Sequence, residues 1–386
     1  MKNLLIITSY FPPETGAASN RIFHLAEGLK GHDFNVSVLT PLPNYPTGEI
    51  FKDYKGKFKH TSTENGILIH RLWIYASNSK NKLLRLIAML SYSFSLLWFF
   101  MWNKIPKTVI VQSPPLLVAF TCMLFLKSKK RRLILNVSDL WPIAGFELGA
   151  LKKNFSYKML ERIEHFNYRR ADLVLGQSIE ILTHVKSICS EKETFLYRNY
   201  PDFKSPELNY NPTDGRLKIV YAGLLGIAQG IYKLCQELEY SNIELHIYGS
   251  GAEQLKIETY ISNHPELPVV YHGQVSRMEL HEVLLQYDIT IIPLLKRIYG
   301  SVPSKIFEYA KLGLPMLYFG GGEGESIIKT HELGWVAEAG NYADLNSIIA
   351  SIDGQILSQE LRHKIMINGK KKFDFSSQLT RLKEKI

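Results

Sequence analysis

The sequence is short of cysteine. Cys122, Cys189 and Cys235 are its only three. They are far apart, odd in number, and lack CxxC or Cys/His spacing. That argues against a disulfide framework or a structural zinc site and fits a reducing cytoplasm. No secretory leader is visible. Lys2 is followed by five or six apolar residues before SYFPPE, where an export signal needs ~7–15 and a small-residue cleavage site. Short repeats and low-complexity tracts are absent, as are the GxGxxG fingerprint and the Walker phosphate loop. No recognition motif accompanies the positive charge, so a nucleic-acid partner is not expected.

What is present is an ordinary globular composition, 46% apolar and 21% charged over 386 residues, long enough for two domains. The charge is uneven. Residues 1–200 carry 27 Lys/Arg against 14 Asp/Glu, and residues 201–386 carry 19 against 22. The excess gathers at Lys52–Lys59, Lys80–Arg85 and Lys127–Arg132. A basic half attracts nucleic acid, anionic lipid or phosphorylated ligands, unless each cluster is simply solvated surface.

Short β-branched runs alternate with helical patterns. NLLIIT (3–8), the loop FPPETGAAS, the amphipathic NRIFHLAEGLKG and NVSVLT (35–40) make a strand–loop–helix–strand unit with a parallel sheet. Further strands are expected at 66–73, 108–113, 132–137, 172–176 and 194–198. The segment YPDFKSPELNYNPTDGR (200–216) breaks the pattern and reads as a linker. The alternation restarts at 217–223, 243–249, 268–273, 288–294, 315–320 and 334–338. The fold class expected is α/β, two Rossmann-like domains with ligand loops at the strand C-termini and a cleft between them.

Residues 86–102, LIAMLSYSFSLLWFFMW, contain no charge. Seventeen residues is at the bottom of the range for a bilayer span, and a span would cut the first sheet in two. A helix packed in the domain and a membrane-surface helix remain. Basic flanks and Trp98 and Trp102 incline the reading to the surface.

The chemistry-bearing residues sit in loops. Gly16, before a helix, lets backbone approach a ligand, or is an ordinary turn. GLLGIAQG, with Gly223, Gly226 and Gly230, repeats that arrangement in the second half and can face a diphosphate. The strongest constellation is GSVPSKIFEYAKLGLP (300–315). Pro303 suits a helix start, Ser301, Val302 and Ser304 lie at its N-terminus, and Lys305 adds positive charge. Glu308, on the same helix face, can accept two hydrogen bonds from a ribose diol. The plainer alternative is a surface Lys–Glu pair.

These segments, together with NYPTGEI (44–50), QSPPLL (112–117), SDLWP (138–142), IYGSGAE (247–253) and HGQVS (272–276), resemble in their shared order the retaining glycosyltransferases of family 4, of GT-B fold. The set is most similar to bacterial transferases of O-antigen and capsule assembly, including those proposed to transfer N-acetyl-L-fucosamine. The resemblance implies an acceptor domain (1–203), a nucleotide-sugar domain (204–370) and a final helix (371–386) returning to the first. It makes Glu308 the ribose ligand and Lys305 with Gly226, Gln229, Ser301 and Val302 the diphosphate ligands. Gly16 joins the donor site, Gly249 lies near the nucleotide, and Val275 lies against the base unless it is a core residue. Two features depart from the family. The first of its two glutamates eight positions apart falls on Gly300, and Leu224 and Gln229 stand where relatives carry Arg and Lys.

The implied donor is a nucleoside-diphosphate sugar, UDP by resemblance, with no cofactor and no metal. The implied acceptor is a lipid-linked saccharide on a polyprenyl diphosphate, met by a chain peripheral to the inner face of the cytoplasmic membrane through its basic N-terminal half. Retention without an evident nucleophile implies front-face attack. Lys305 offsets leaving-group charge. Asp139 is either the base, a ligand of the acceptor hydroxyl, or a structural cap. Glu14 and Arg21 are candidates to touch the acceptor. A non-hydrolysing sugar-nucleotide epimerase, which shares the fold, and a non-catalytic nucleotide- or membrane-binding partner are the alternatives.

Overall fold

The computed structural model describes residues 2–386 apart from Asn78, Lys80, residues 211–214, Asp353 and Gln355. The chain forms two compact units, one of residues up to Asn199 together with Ser376–Ile386, the other Tyr200–Phe375.

The first unit runs β1 (Lys2–Ile7), α1 (Ala17–Gly31), β2 (Phe34–Pro41), β3 (Lys59–Glu64), β4 (Ile67–Leu72), α2 (Lys82–Trp102), β5 (Thr108–Ser113) and α3 (Leu116–Leu126). It continues with β6 (Arg132–Val137), α4 (Ile143–Glu147), α5 (Phe155–Arg170), β7 (Leu173–Gly176), α6 (Ile179–Ile188) and β8 (Glu193–Leu196). Its sheet has the order β3-β4-β2-β1-β5-β6-β7-β8, parallel except for the antiparallel pair β3–β4. The central strands are apolar runs because helices cover both faces. Leu4, Ile6, Val109, Ile110, Leu133 and Ile134 are all fully buried.

The second unit runs β9 (Leu217–Ala222), α7 (Ile231–Glu237), β10 (Ile243–Tyr248), α8 (Gln254–Asn263), β11 (Val269–Gly273), α9 (Arg277–Leu284), β12 (Ile289–Pro293) and α10 (Lys305–Leu312). Then come β13 (Met316–Phe319), α11 (Gly322–Thr330), β14 (Gly334–Val336), α12 (Tyr342–Ser351) and α13 (Gln359–Lys372). Its sheet, β11-β10-β9-β12-β13-β14, is parallel throughout. In both sheets the strand order reverses beside the first strand, at β1/β5 and β9/β12, which is where such folds place ligands.

The last helix, α14 (Phe375–Lys383), completes the first unit. Gln378 accepts a hydrogen bond from the Arg198 amide (2.8 Å) and donates one to the Arg198 carbonyl (2.9 Å). Leu379 and Leu382 are buried behind it.

Three expectations change. The strand β3, KHTSTE, has no apolar alternation and was not anticipated. It forms by pairing with β4, whose buried Arg71 reaches Glu64 at 3.0 Å. The segment 200–216 is not a free linker. Tyr200 packs on Phe307 and Phe373, and buried Tyr210 donates to Asp288 at 2.6 Å, while residues 211–214 lie outside the described part. Residues 86–102 belong to α2, which is buried at Tyr92, Leu96 and Phe99 and exposed at Phe94, Trp98 and Met101. One face of α2 therefore packs in the domain and the other is exposed. Among the described residues no helix is long and apolar enough to cross a membrane. Of the cluster Lys80–Arg85, Lys80 and the side chains of Lys82 and Arg85 lie outside the described residues.

Candidate functional site

In the second unit, loops meet at the C-terminal ends of β9, β10 and β12. The Gly223 amide donates to Tyr248 O, the Leu225 amide to Ser250 O, and the Glu253 amide back to Leu225 O, each at 2.9 Å. This clasp requires glycine. Gly249 has φ 133°, and a Cβ there would lie 1.8 Å from Gly223 O. Its N–H donates to Gly273 O and its carbonyl accepts from Tyr271 Oη, both at 2.8 Å. Gly249 therefore brings two loops together and has no spare backbone N–H for a nucleotide.

The clasp borders a cavity of about 290 Å³ lined by Leu224, Tyr248, Gly249, Ser250, Gln274 and Val275 among others. Val275 is half-buried, packing on the core with one side while lining the cavity. The Tyr248 ring stacks on His272, centroids 4.4 Å apart and 6° from parallel. Beside the cavity, the Gln229 amide closes a turn onto Gly226 O at 3.1 Å. The Gly226 N–H has no acceptor among the described residues.

Helix α10 starts at Lys305, two residues after Pro303, so the proline precedes the helix rather than occupying its first turn. The Ser301 amide donates to Ile298 O at 3.0 Å and is spent in that turn. The amides of Val302, Ser304 and Lys305 have no acceptor among the described residues, and Ser304 makes no side-chain cap. Free N–H groups at a helix start attract anions.

Lys305 lies over the Tyr221 ring, 4.5 Å from its centroid, and its ammonium donates to the Ala222 carbonyl at the end of β9. Gly223 makes room for it, since a Cβ there would overlap the ammonium. Burial pushes the Lys305 pKa down to about 8, against the upward pull of Glu308. The two do not form an ion pair. Glu308 Oε1 instead accepts from His281 Nε2 at 2.7 Å, and the His281 ring packs on Phe203 at 4.5 Å. One face of the Glu308 carboxylate is thereby held in place.

In the first unit, Gly16 (φ 148°) is the N-cap of α1, and a Cβ there would sit 3.6 Å from the Tyr45 ring. Glu14 is buried. Its Oε1 accepts from the Asn44 and Tyr45 amides at 2.8 and 2.9 Å, while Oε2 has no partner among the described residues. Burial raises its pKa, opposed by those amides. Arg21 is also buried, donating to Gln177 Oε1 at 3.0 Å, and burial lowers its pKa, opposed by the charge of Asp139. Asp139, half-buried at the end of β6, accepts from Ser138 Oγ at 3.3 Å. It does not cap α4, whose N-cap is Pro142. Among the described residues no group of three or more His, Cys, Asp or Glu could hold a metal ion.

Two family models match in succession. Residues 16–186 match a glycosyl transferase 4-like domain and residues 210–372 the glycosyl transferases group 1. The chain belongs to the group 1 (family 4) glycosyltransferases. As such it transfers a sugar from a nucleotide-sugar donor. Its GT-B fold is that of sucrose-phosphate synthase from Thermosynechococcus elongatus (TM-score 0.76, 13% identity, covering 100% of this chain and 98% of that one). It is similar also to HepE of Anabaena in complex with UDP-glucose (0.67, 14%, 100% and 99%). A third likeness is the lipopolysaccharide outer core galactosyltransferase WaaB (0.64, 16%, 100% and 100%). No curated protein matches the sequence.

In this glycosyltransferase, sequence reasoning missed His281. The stretch SRMELHEVL reads as an ordinary amphipathic turn, and only folding brings position 281 to Glu308. It also missed Tyr248, whose place at the end of β10 is a weak signal that it borders a ligand loop.

Proposed function

We propose that this glycosyltransferase retains configuration and takes a UDP-linked amino or deoxy sugar, of the N-acetyl-L-fucosamine type, to a polyprenyl-diphosphate-linked saccharide in surface-polysaccharide assembly. The observation that carries the donor half is the start of α10. Free amides, a half-buried lysine and a carboxylate lie there within a few residues of one another. Phosphate needs the first two and a vicinal diol the third.

In this reading the Glu308 carboxylate takes the ribose hydroxyls, oriented by His281 at Oε1. Lys305 and the amides of Gly226, Val302 and Ser304 take the diphosphate, with Gln229 and the Ser301 hydroxyl beside them. The base enters the cavity at Val275 and Tyr248, and Gly16 adds a close backbone approach to the donor. As the bond from the anomeric carbon to the diphosphate oxygen breaks, Lys305 offsets the charge left on UDP. The acceptor hydroxyl attacks the same face, and Asp139 receives its proton. Glu14 and Arg21, engaged with Asn44, Tyr45 and Gln177, act by holding acceptor loops rather than by direct contact. HepE crystallised with UDP-glucose and the lipopolysaccharide activity named for WaaB favour a uridine donor and a lipid-borne acceptor. The acceptor places the enzyme at the inner face of the membrane.

A thermal-shift screen of UDP, GDP and ADP tests the donor. UDP should raise the melting temperature most. An equal response to all three, or to none, would remove this assignment.

A further inference from the structure

From Leu86 onward helix α2 carries no charge, yet only one side is covered. Tyr92, Leu96 and Phe99 face the core, and Tyr92 Oη donates to Thr8 O (3.0 Å) and Leu39 O (3.2 Å). On the other side Leu83, Leu90, Phe94, Trp98, Met101 and Trp102 are 50–71% exposed. Steps of three, four and seven put them on one face. The stripe is about 28 Å long at ~1.5 Å per residue. Single exposed leucines are commonplace, but an uninterrupted stripe of this length marks a contact surface.

A second observation lies at the end of that stripe. Arg131 donates to Pro106 O (3.1 Å), just beyond α2, and to Leu126 O (2.7 Å), the last residue of α3. Around this junction is an open basin of about 760 Å³ lined by Lys107, Lys129, Lys130, Arg132 and Arg170 among others. Its one acid, Asp172, is paired with Lys127, and Arg132 reaches Glu193 at 2.9 Å. Lys107, Lys129, Lys130 and Arg170 have no carboxylate partner among the described residues. Arg170 Nε is buried without a hydrogen-bond partner among the described residues.

We propose that the α2 stripe and this basin are one surface that seats the enzyme on an anionic lipid bilayer, the stripe lying among acyl chains and the basin holding lipid phosphates. An apolar helix face beside clustered cations is the pattern of interfacial binding. Trp98 and Trp102, ring centroids 5.9 Å apart at the basin end of the stripe, suit the headgroup boundary. A nucleic acid would use the cations but leave the stripe in water. A protein partner would cover the stripe without needing the basin.

The inference deepens the reading of a membrane-borne acceptor and rests on it, but the two fail separately. Vesicle binding is measured without substrate, and transfer is measured with a short-chain, water-soluble diphosphate-linked acceptor. The full chain is sedimented with phosphatidylcholine vesicles and with phosphatidylcholine–phosphatidylglycerol vesicles at low salt. Binding is expected only to the second. Lys129→Glu with Lys130→Glu should weaken it about tenfold or more. Phe94→Ser with Trp98→Ser should weaken it comparably, with UDP-induced thermal shift unchanged in both double variants. Equal binding to both vesicle types, binding to neither, or variants that bind like the parent would overturn the proposal. So would a dimer in solution that Phe94→Ser with Trp98→Ser dissociates, because a second copy would then occupy the stripe.

Discussion

Lys305 is half-buried, and loss of water around its ammonium lowers its pKa to about 8 against an ordinary 10.5. Between those values the unfolded chain binds a proton that the folded one has lost. Stability without ligand therefore rises with pH across that window and carries the full penalty below it. UDP affinity runs the other way, because the phosphate needs the ammonium. The UDP-induced rise in melting temperature should accordingly shrink as pH climbs past about 8. Lys305→Met should raise the unliganded melting temperature, relieving up to about 3 kcal/mol, while cutting sugar transfer about a hundredfold or more. An unchanged or lower melting temperature would contradict the burial argument.

Glu308→Ala should cost about a hundredfold in turnover. His281→Ala should mainly raise the donor KM, with His281→Asn recovering part of the loss by donating to the same oxygen. Equal kinetics in all three would show that the carboxylate is not a donor ligand. Asp139→Asn should lower kcat with little change in UDP binding by thermal shift.

At the scale of elements, the sequence announced strands wherever both faces are covered, because such strands are plain apolar runs. TVIVQS and RLILNV became β5 and β6 residue for residue. It did not announce β3, which owes its place to Arg71 and Glu64 rather than to apolar pattern. The candidate site was legible where chemistry is local. Lys305, Glu308 and the amides of one helix start fall within a few residues. Contacts made by folding alone, such as His281 on Glu308 and Gln378 on Arg198, leave no local trace. Gly249 was legible as a loop glycine, but its reason is the Gly223 carbonyl of a neighbouring loop. Gly249→Ala should therefore destabilise the second unit by about 3 kcal/mol or more, as a lowered melting temperature and weakened UDP response. Gly31→Ala, whose Cβ would meet nothing within 4 Å, should be nearly neutral.

For the molecule as a whole, positive charge is concentrated in residues 1–200. Exposed cations are screened beyond a Debye length of ~10 Å at 0.1 M salt, while buried ones are screened much less. Added salt should strip the protein from anionic vesicles yet change UDP affinity comparatively little. Parallel loss of both would mean that Lys305 is as open to solvent as the surface cations.

The clasp of Gln378 on Arg198 also sets an order of events during synthesis. Residues up to 199 leave the ribosome long before residues 376–386 exist. At roughly 5–20 residues per second, the first unit waits roughly ten to thirty-five seconds without Gln378 on the Arg198 backbone and with the seat of Leu379 and Leu382 open. The second unit, whose residues are contiguous, can close before the one that precedes it. A chain truncated after residue 375 and released should therefore show a protease-resistant second unit and a first unit cut near its β8 edge.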